Sequence, residues 1–194
     1  MACNSPTSKP GAGDADRYPA GMAGAHRILL APGASGNPKQ LAPHAAGLRG
    51  RGYEVEIVSL PKGSVERAMP VYRDAIGADP SAVVTGGQSF GGRVASLLAA
   101  EERPHAIVLF AYPLHAPGHH DAWRERTAHW PHISCPVLLL SGESDPFARI
   151  DLLREAVGQL PSGTLVTYPG VGHGVGPVID EALDQVDAFL LANT

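Results

Sequence analysis

The sequence is poor in the features that mark several common protein classes. It contains two cysteines, Cys3 and Cys135, among 194 residues, which is too few for the disulfide framework of a small secreted domain. No apolar run approaches the ~20 residues that a membrane-spanning helix needs. The N-terminus has no apolar segment of the kind that a signal peptide carries. These absences predict a cytoplasmic protein without a membrane span.

Charge is also scarce. Only 18% of the residues are charged and the formal net charge is −4, which argues against a nucleic-acid-binding or anionic-membrane-binding surface. Five histidines lie between residues 112 and 133, but no paired-cysteine or His-Glu-x-x-His pattern accompanies them. The chain also lacks the Gly-x-x-x-x-Gly-Lys-Ser/Thr run of a phosphate-binding loop. We therefore expect neither a metal nor a cofactor.

Apolar runs that alternate with helical patterns fill the rest of the chain. Residues 1–25 are rich in Pro, Gly, Ala and Ser and predict a flexible leader, whereas 26–194 predict a single domain. Alternating strands and helices are typical of βαβ units and a mainly parallel sheet, here of about six strands in a three-layer αβα sandwich. The predicted strands are 27–31, 53–60, 82–85, 105–110, 136–141 and 165–168, and the helices 39–49, 65–76, 93–100, 150–160 and 178–191.

The most informative motif is the pentapeptide at 87–91, GQSFG, which joins the third strand to the following helix. A serine nucleophile at such a junction stands on a sharp turn, and side chains two residues before and after it would collide, so glycine occupies both places. The pattern predicts Ser89 as a nucleophile. The N–H of Phe90, at the start of the helix, is then aimed to stabilise a developing oxyanion.

A serine nucleophile needs a base and an acid that orients the base. His173 lies in the glycine-rich loop 169–177, between the last strand and the last helix, and is the candidate base. A carboxylate fixes the tautomer of such a histidine and stabilises its protonated form. Asp145, after the fifth strand, is the candidate acid, with Glu143 as the competing residue.

With these motifs in chain order, the sequence resembles the α/β-hydrolase superfamily, in particular its small members that are similar to dienelactone hydrolase and lack a cap domain. The resemblance runs from residue 27 to the C-terminus and implies Ser89, Asp145 and His173 as a catalytic triad. It also implies a second oxyanion donor in the loop after the first strand, namely the N–H of Ala34 or alternatively of Ser35. Pro32 stands where many relatives have histidine.

The segment from Tyr112 to Ile133 lies where family members place a helix or insert a cap. It has room for one short helix, predicted at 121–129, but not for a cap domain. We expect Ser35, Leu114 and His115 to line the substrate pocket, although His115 could equally serve the local backbone. Arg93, on the helix after the nucleophile, is interpreted as a structural ion-pair partner.

The predicted function is a serine hydrolase that cleaves a carboxylic ester of a small molecule through an acyl-enzyme intermediate. Two alternatives stay open. An acyltransferase could use the same triad, and a non-enzymatic interaction protein could retain the fold, since a fold does not fix a function. The sequence gives no indication of oligomeric state.

Overall fold

Six parallel strands form one sheet in the computed structural model, which describes residues 27–193. The predicted leader at 1–25 lies outside the described residues. The strands are β1 (Arg27–Ala31), β2 (Val55–Ile57), β3 (Val83–Gln88), β4 (Ala106–Phe110), β5 (Val137–Gly142) and β6 (Gly163–Tyr168). Their order in the sheet is β2-β1-β3-β4-β5-β6.

Helices cover both faces of the sheet, so the predicted three-layer α/β architecture is confirmed. Alternate residues of each strand face opposite sides, and this separates the buried apolar side chains into two core layers. The helices are α1 (Ala42–Gly50), α2 (Val65–Ile76), α3 (Phe90–Glu101), α4 (Trp123–Arg126), α5 (Ile150–Val157) and α6 (Ile179–Ala192). One core layer packs under α1 and α6, and the other packs under α2, α3 and α5.

The helix α2 has the predicted bounds because both of its ends carry strong local signals. The Ser64 side chain accepts a hydrogen bond from the backbone N–H of Arg67 at 3.3 Å and caps the N-terminus. At the other end Gly77 takes a φ of 83°, a conformation that favours glycine. The helix therefore begins and ends where its sequence directs.

Several predicted elements are shorter than expected, among them α5, which ends at Val157 instead of at residue 160. The strand predicted at 53–60 pairs only over Val55–Ile57, because β2 is an edge strand that has β1 as its sole neighbour. The helix predicted at 39–49 starts with a 3₁₀ turn, Pro38–Leu41, before α1. The helix predicted at 121–129 is reduced to the four residues of α4, between two short 3₁₀ turns.

Between β4 and β5 the chain forms only these short turns, so it carries no cap domain. The sheet order changes direction at β1, which has β2 on one side and β3 on the other. In such sheets, ligands bind beyond the carboxyl ends of the strands at this switch point. Over residues 27–193, none of the helices is long and apolar enough to cross a membrane.

Candidate active site

Ser89 stands on a sharp turn at the switch point of the sheet. Its φ of 51° and ψ of −114° are unusual for a residue other than glycine, and its backbone N–H donates to the Phe110 carbonyl at 2.9 Å. A Cβ on Gly87 would lie 2.3 Å from the Ala31 carbonyl oxygen, and one on Gly91 would lie 2.1 Å from the same atom. Both glycines are therefore required by the close approach of β1.

The side chains of Ser89, His173 and Asp145 form a continuous hydrogen-bonded chain. The Ser89 Oγ lies 2.9 Å from His173 Nε2, and His173 Nδ1 lies 2.8 Å from Asp145 Oδ2. The Asp145 side chain is fully buried, and its other oxygen accepts from the Phe147 N–H at 2.8 Å. Because a carboxylate only accepts hydrogen bonds, Nδ1 carries a proton and Nε2 is left to accept the serine proton.

The loops that carry the acid and the base are packed directly on each other. A Cβ on Gly142 would lie 2.1 Å from the Val171 carbonyl oxygen, so the two backbones touch at this point. The Ser144 N–H donates to the same carbonyl at 2.9 Å. The Phe147 ring packs on the His173 imidazole with 4.7 Å between ring centroids. These contacts fix the position of the imidazole relative to Ser89.

A cavity of about 420 Å³ opens above Ser89. On one side lies the loop after β1, where a Cβ on Gly33 would lie 3.7 Å from the Ser89 Cβ. Phe90 begins α3, and the first N–H groups of a helix have no intrahelical acceptor. The cavity lining comprises Gly33, Ala34, Ser35, Gln40, Gln88, Ser89, Phe90, Arg93, Pro113, His115, Ala116, Arg126, Phe147 and His173.

The family follows from a sequence match. Residues 63–185, more than half of the chain, match a family model described as an alpha/beta hydrolase domain. This protein is a member of the α/β-hydrolase superfamily.

Solved structures share the fold of this α/β-hydrolase at low sequence identity. A monoacylglycerol lipase from Paleococcus ferrophilus is 16% identical with a TM-score of 0.76, over 87% of this chain and 95% of the lipase. Esterase 2 from Thermogutta terrifontis is 22% identical with a TM-score of 0.67, over 90% of this chain and 87% of the esterase. Est1E from Butyrivibrio proteoclasticus is 16% identical with a TM-score of 0.71, over 87% of this chain and 88% of Est1E. A search of curated proteins found no match.

Among the carboxylates predicted to orient the base of this α/β-hydrolase, only Asp145 contacts His173. The competing residue, Glu143, faces a different set of partners. Its Oε1 accepts a hydrogen bond from the Thr167 hydroxyl at 2.8 Å and from the Arg154 guanidinium at 3.1 Å. The structure therefore brings together Ser89, His173 and Asp145 and leaves Glu143 outside.

The three residues predicted to line the substrate pocket have different environments. Ser35 lines the cavity, and its hydroxyl donates to Gln40 Oε1 at 2.9 Å. Leu114 is fully buried in the core layer beneath α2, α3 and α5 and is not part of the cavity wall, so this prediction is corrected. An apolar side chain at this point gains more from the core than from a solvated cavity.

His115 lies at the cavity wall, but backbone groups occupy both of its ring nitrogens. Nδ1 donates to the Ala116 carbonyl at 3.0 Å, and Nε2 accepts from the Arg149 N–H at 3.1 Å. Arg149 follows the acid loop in sequence, so the imidazole ties that loop to the segment after β4. The contacts favour the interpretation in which His115 serves the local backbone.

Several cavity residues were not predicted as site residues. Arg93 was interpreted as a structural ion-pair partner, yet among residues 27–193 it forms no salt bridge. One signal was available, since Arg93 is four residues after Ser89 and lies one helical turn along α3. Gly33 and Gln88 lie inside the two predicted loops, next to the residues that were singled out. The remaining cavity residues had no local signal and are Gln40, Pro113, Ala116, Arg126 and Phe147.

Proposed function

We propose that this protein is a serine hydrolase that cleaves a carboxylic ester of a small substrate through an acyl-enzyme intermediate. The observation that carries the proposal is the chain of hydrogen bonds from Ser89 through His173 to the buried Asp145. A neutral histidine 2.9 Å from a serine hydroxyl can accept its proton as the oxygen attacks a carbonyl. The structural likeness to a monoacylglycerol lipase and to esterases supports ester chemistry.

In the proposed mechanism, Ser89 Oγ attacks the ester carbonyl while His173 Nε2 takes the hydroxyl proton. Asp145 stabilises the imidazolium that results. The N–H groups of Phe90 and Ala34, both on the cavity wall, donate to the oxyanion. His173 then gives its proton to the departing alkoxide, and water repeats the sequence on the acyl-enzyme to release the acid. Each oxyanion donor typically contributes on the order of 3 kcal/mol to the lowering of the barrier.

Labelling with a fluorophosphonate probe, followed by mass spectrometry of the peptides, tests the nucleophile. We expect one adduct, on Ser89, that is lost in Ser89→Ala and in His173→Ala while both variants keep the far-UV spectrum of the folded protein. Hydrolysis of 4-nitrophenyl esters should fall by at least about a thousandfold in each variant. Product analysis with an added alcohol then separates hydrolysis from acyl transfer.

The chain supplies a matched control in a second serine–histidine pair. Ser96 Oγ lies 2.9 Å from His129 Nε2, the same separation as at the proposed site. Ser96 lies inside α3, is fully buried, and its hydroxyl donates to the Arg93 carbonyl at 2.9 Å. We expect no adduct on Ser96. A folded protein that is labelled nowhere, or on Ser96 instead of Ser89, would overturn the proposal.

A further inference from the structure

Two arginines share the wall of the cavity above Ser89. Arg93 lies one helical turn beyond the serine on α3, with its backbone N–H donating to the Ser89 carbonyl at 3.0 Å. Arg126 is the last residue of α4 and approaches the same cavity from the segment after β4. Both side chains are half-buried. Two arginines therefore border the cavity that opens above the proposed nucleophile.

Among residues 27–193, neither guanidinium forms an ion pair with a carboxylate. Within the described part of the chain, the Arg93 Nε is buried without a hydrogen-bond partner. Glu66 and Glu125 feel the charges of Arg93 and Arg126 respectively, but each lies beyond ion-pair distance. By contrast, Arg124, which is also on α4, pairs with Glu155 at 3.2 Å.

The charge of the Arg93 guanidinium acts on Arg126 and on His129. Burial, followed by repulsion from the Arg93 guanidinium, lowers the pKa of Arg126. Burial and then the same guanidinium lower the pKa of His129 to about 4, which keeps that imidazole neutral at pH 7. Two like charges held at one cavity disfavour each other, and an anion placed between them would relieve that repulsion.

We propose that the substrate carries an anionic group, a carboxylate or a phosphate, which Arg93 and Arg126 bind while Ser89 attacks its ester bond. The inference rests on the proposed hydrolase function and names the class of substrate. Guanidinium groups suit this task because their planar N–H forks match the oxygens of carboxylates and phosphates. Since Arg93 lies one turn from Ser89, the anion sits a short distance from the scissile carbonyl.

The test compares anionic esters with neutral esters of nearly the same shape. Mono-4-nitrophenyl adipate is paired with its methyl ester, which places the charge on the acyl side. Similarly, 4-acetoxybenzoate is paired with methyl 4-acetoxybenzoate, which places it on the alcohol side. We expect at least one anionic ester to have the higher kcat/KM, and we expect added NaCl to reduce that preference because salt screens exposed charges.

Variants of Arg93 and Arg126 test whether these two residues cause the preference for anionic esters. We compare kcat/KM for each anionic ester with kcat/KM for its neutral partner. In Arg93→Gln and Arg126→Gln this ratio should fall by about ten- to a hundredfold, mainly because KM for the anionic ester rises. Arg93→Lys should retain part of the preference. Inorganic phosphate should inhibit the wild type competitively and inhibit both Gln variants more weakly. Arg124→Gln is the matched control, because Arg124 is also on α4 but its guanidinium lies over the Trp123 ring and outside the cavity lining.

The outcomes separate the two proposals. Hydrolysis of neutral esters without a charge preference, together with phosphate inhibition that is unchanged in the Gln variants, overturns the anionic substrate and leaves the hydrolase intact. A ratio that falls equally in Arg124→Gln also overturns the anionic substrate, because it indicates a general electrostatic effect and not binding by the two cavity arginines. Failure of the wild type to hydrolyse any ester or to react with the fluorophosphonate overturns the hydrolase itself.

Discussion

At the scale of single residues, Asp145 and Glu143 offer a direct comparison of two carboxylates on one loop. Asp145→Asn keeps the size of the side chain but removes the charge that holds His173 in its accepting tautomer. We expect kcat at neutral pH to fall by about 10³- to 10⁴-fold with little change in melting temperature. Glu143→Gln should stay within about threefold of the wild type, because Glu143 contacts Thr167 and Arg154 instead. Equal losses in both variants would contradict the assignment of the acid.

We expect His44 to make the stability of the protein sensitive to acid. Its ring packs edge-on against Phe110, both of its nitrogens are buried without a hydrogen-bond partner, and burial lowers its pKa from 6.5 to about 4. Between pH 6.5 and 4 the unfolded chain binds a proton there that the folded protein does not. Stability is therefore full above pH 6.5 and falls as the pH drops, by up to about 3 kcal/mol from this residue.

Urea unfolding at pH 7.5 and at pH 5 measures this effect. In His44→Leu the decrease in the free energy of unfolding between the two pH values should be smaller than in the wild type. His132→Gln, at an exposed position, serves as the control, and its free energy of unfolding should decrease as much as that of the wild type. An identical pH dependence in His44→Leu and the wild type would show that other groups cause the acid sensitivity.

At the scale of elements, the turn between β3 and α3 depends on a glycine that the backbone of β1 requires. A Cβ on Gly91 would lie 2.1 Å from the Ala31 carbonyl oxygen and 2.7 Å from that of Pro32. Backbone atoms cannot move aside as a flexible side chain can, so Gly91→Ala should destabilise the protein by about 3 kcal/mol or more. Gly50→Ala, at the end of α1 with open space around it, should be neutral or slightly stabilising. Denaturant titration of the two variants distinguishes these effects.

The elements that the sequence predicts best are those whose signals are local. The bounds of α2 follow from its Ser64 cap and from Gly77, and the turn at Ser89 follows from the spacing of its two glycines. The prediction for β2 is too long because alternating hydrophobicity indicates burial, whereas the strand pairs only with residues 28–30 of β1. The short helix α4 has no comparable cap, and tertiary packing of Trp123 decides where it lies.

At the scale of the whole molecule, the sequence predicts a feature well when one short segment forms it and poorly when distant segments must come together. The likeness of the chain to α/β-hydrolases gave the order of the three loops, and each of Ser89, Asp145 and His173 could be found in one short motif. The arginine pair could not be found in this way. Arg93 and Arg126 meet only because α3 and the segment after β4 border the same cavity, and no spacing along the chain encodes that meeting.

The segment between β4 and β5 is packed against the core of the molecule. Whether it can open as a lid over the cavity depends on how firmly that packing holds. Trp123 and Trp130 are 2% and 0% exposed and belong to the core layer beneath α2, α3 and α5. Tryptophan emission and far-UV ellipticity should therefore report the same urea midpoint, in the wild type and in Trp123→Phe, where only Trp130 remains. Emission that changes at lower urea than ellipticity would instead mean that this segment opens before the sheet unfolds. Coincident transitions would show that the segment unfolds together with the sheet and does not open as a separate lid.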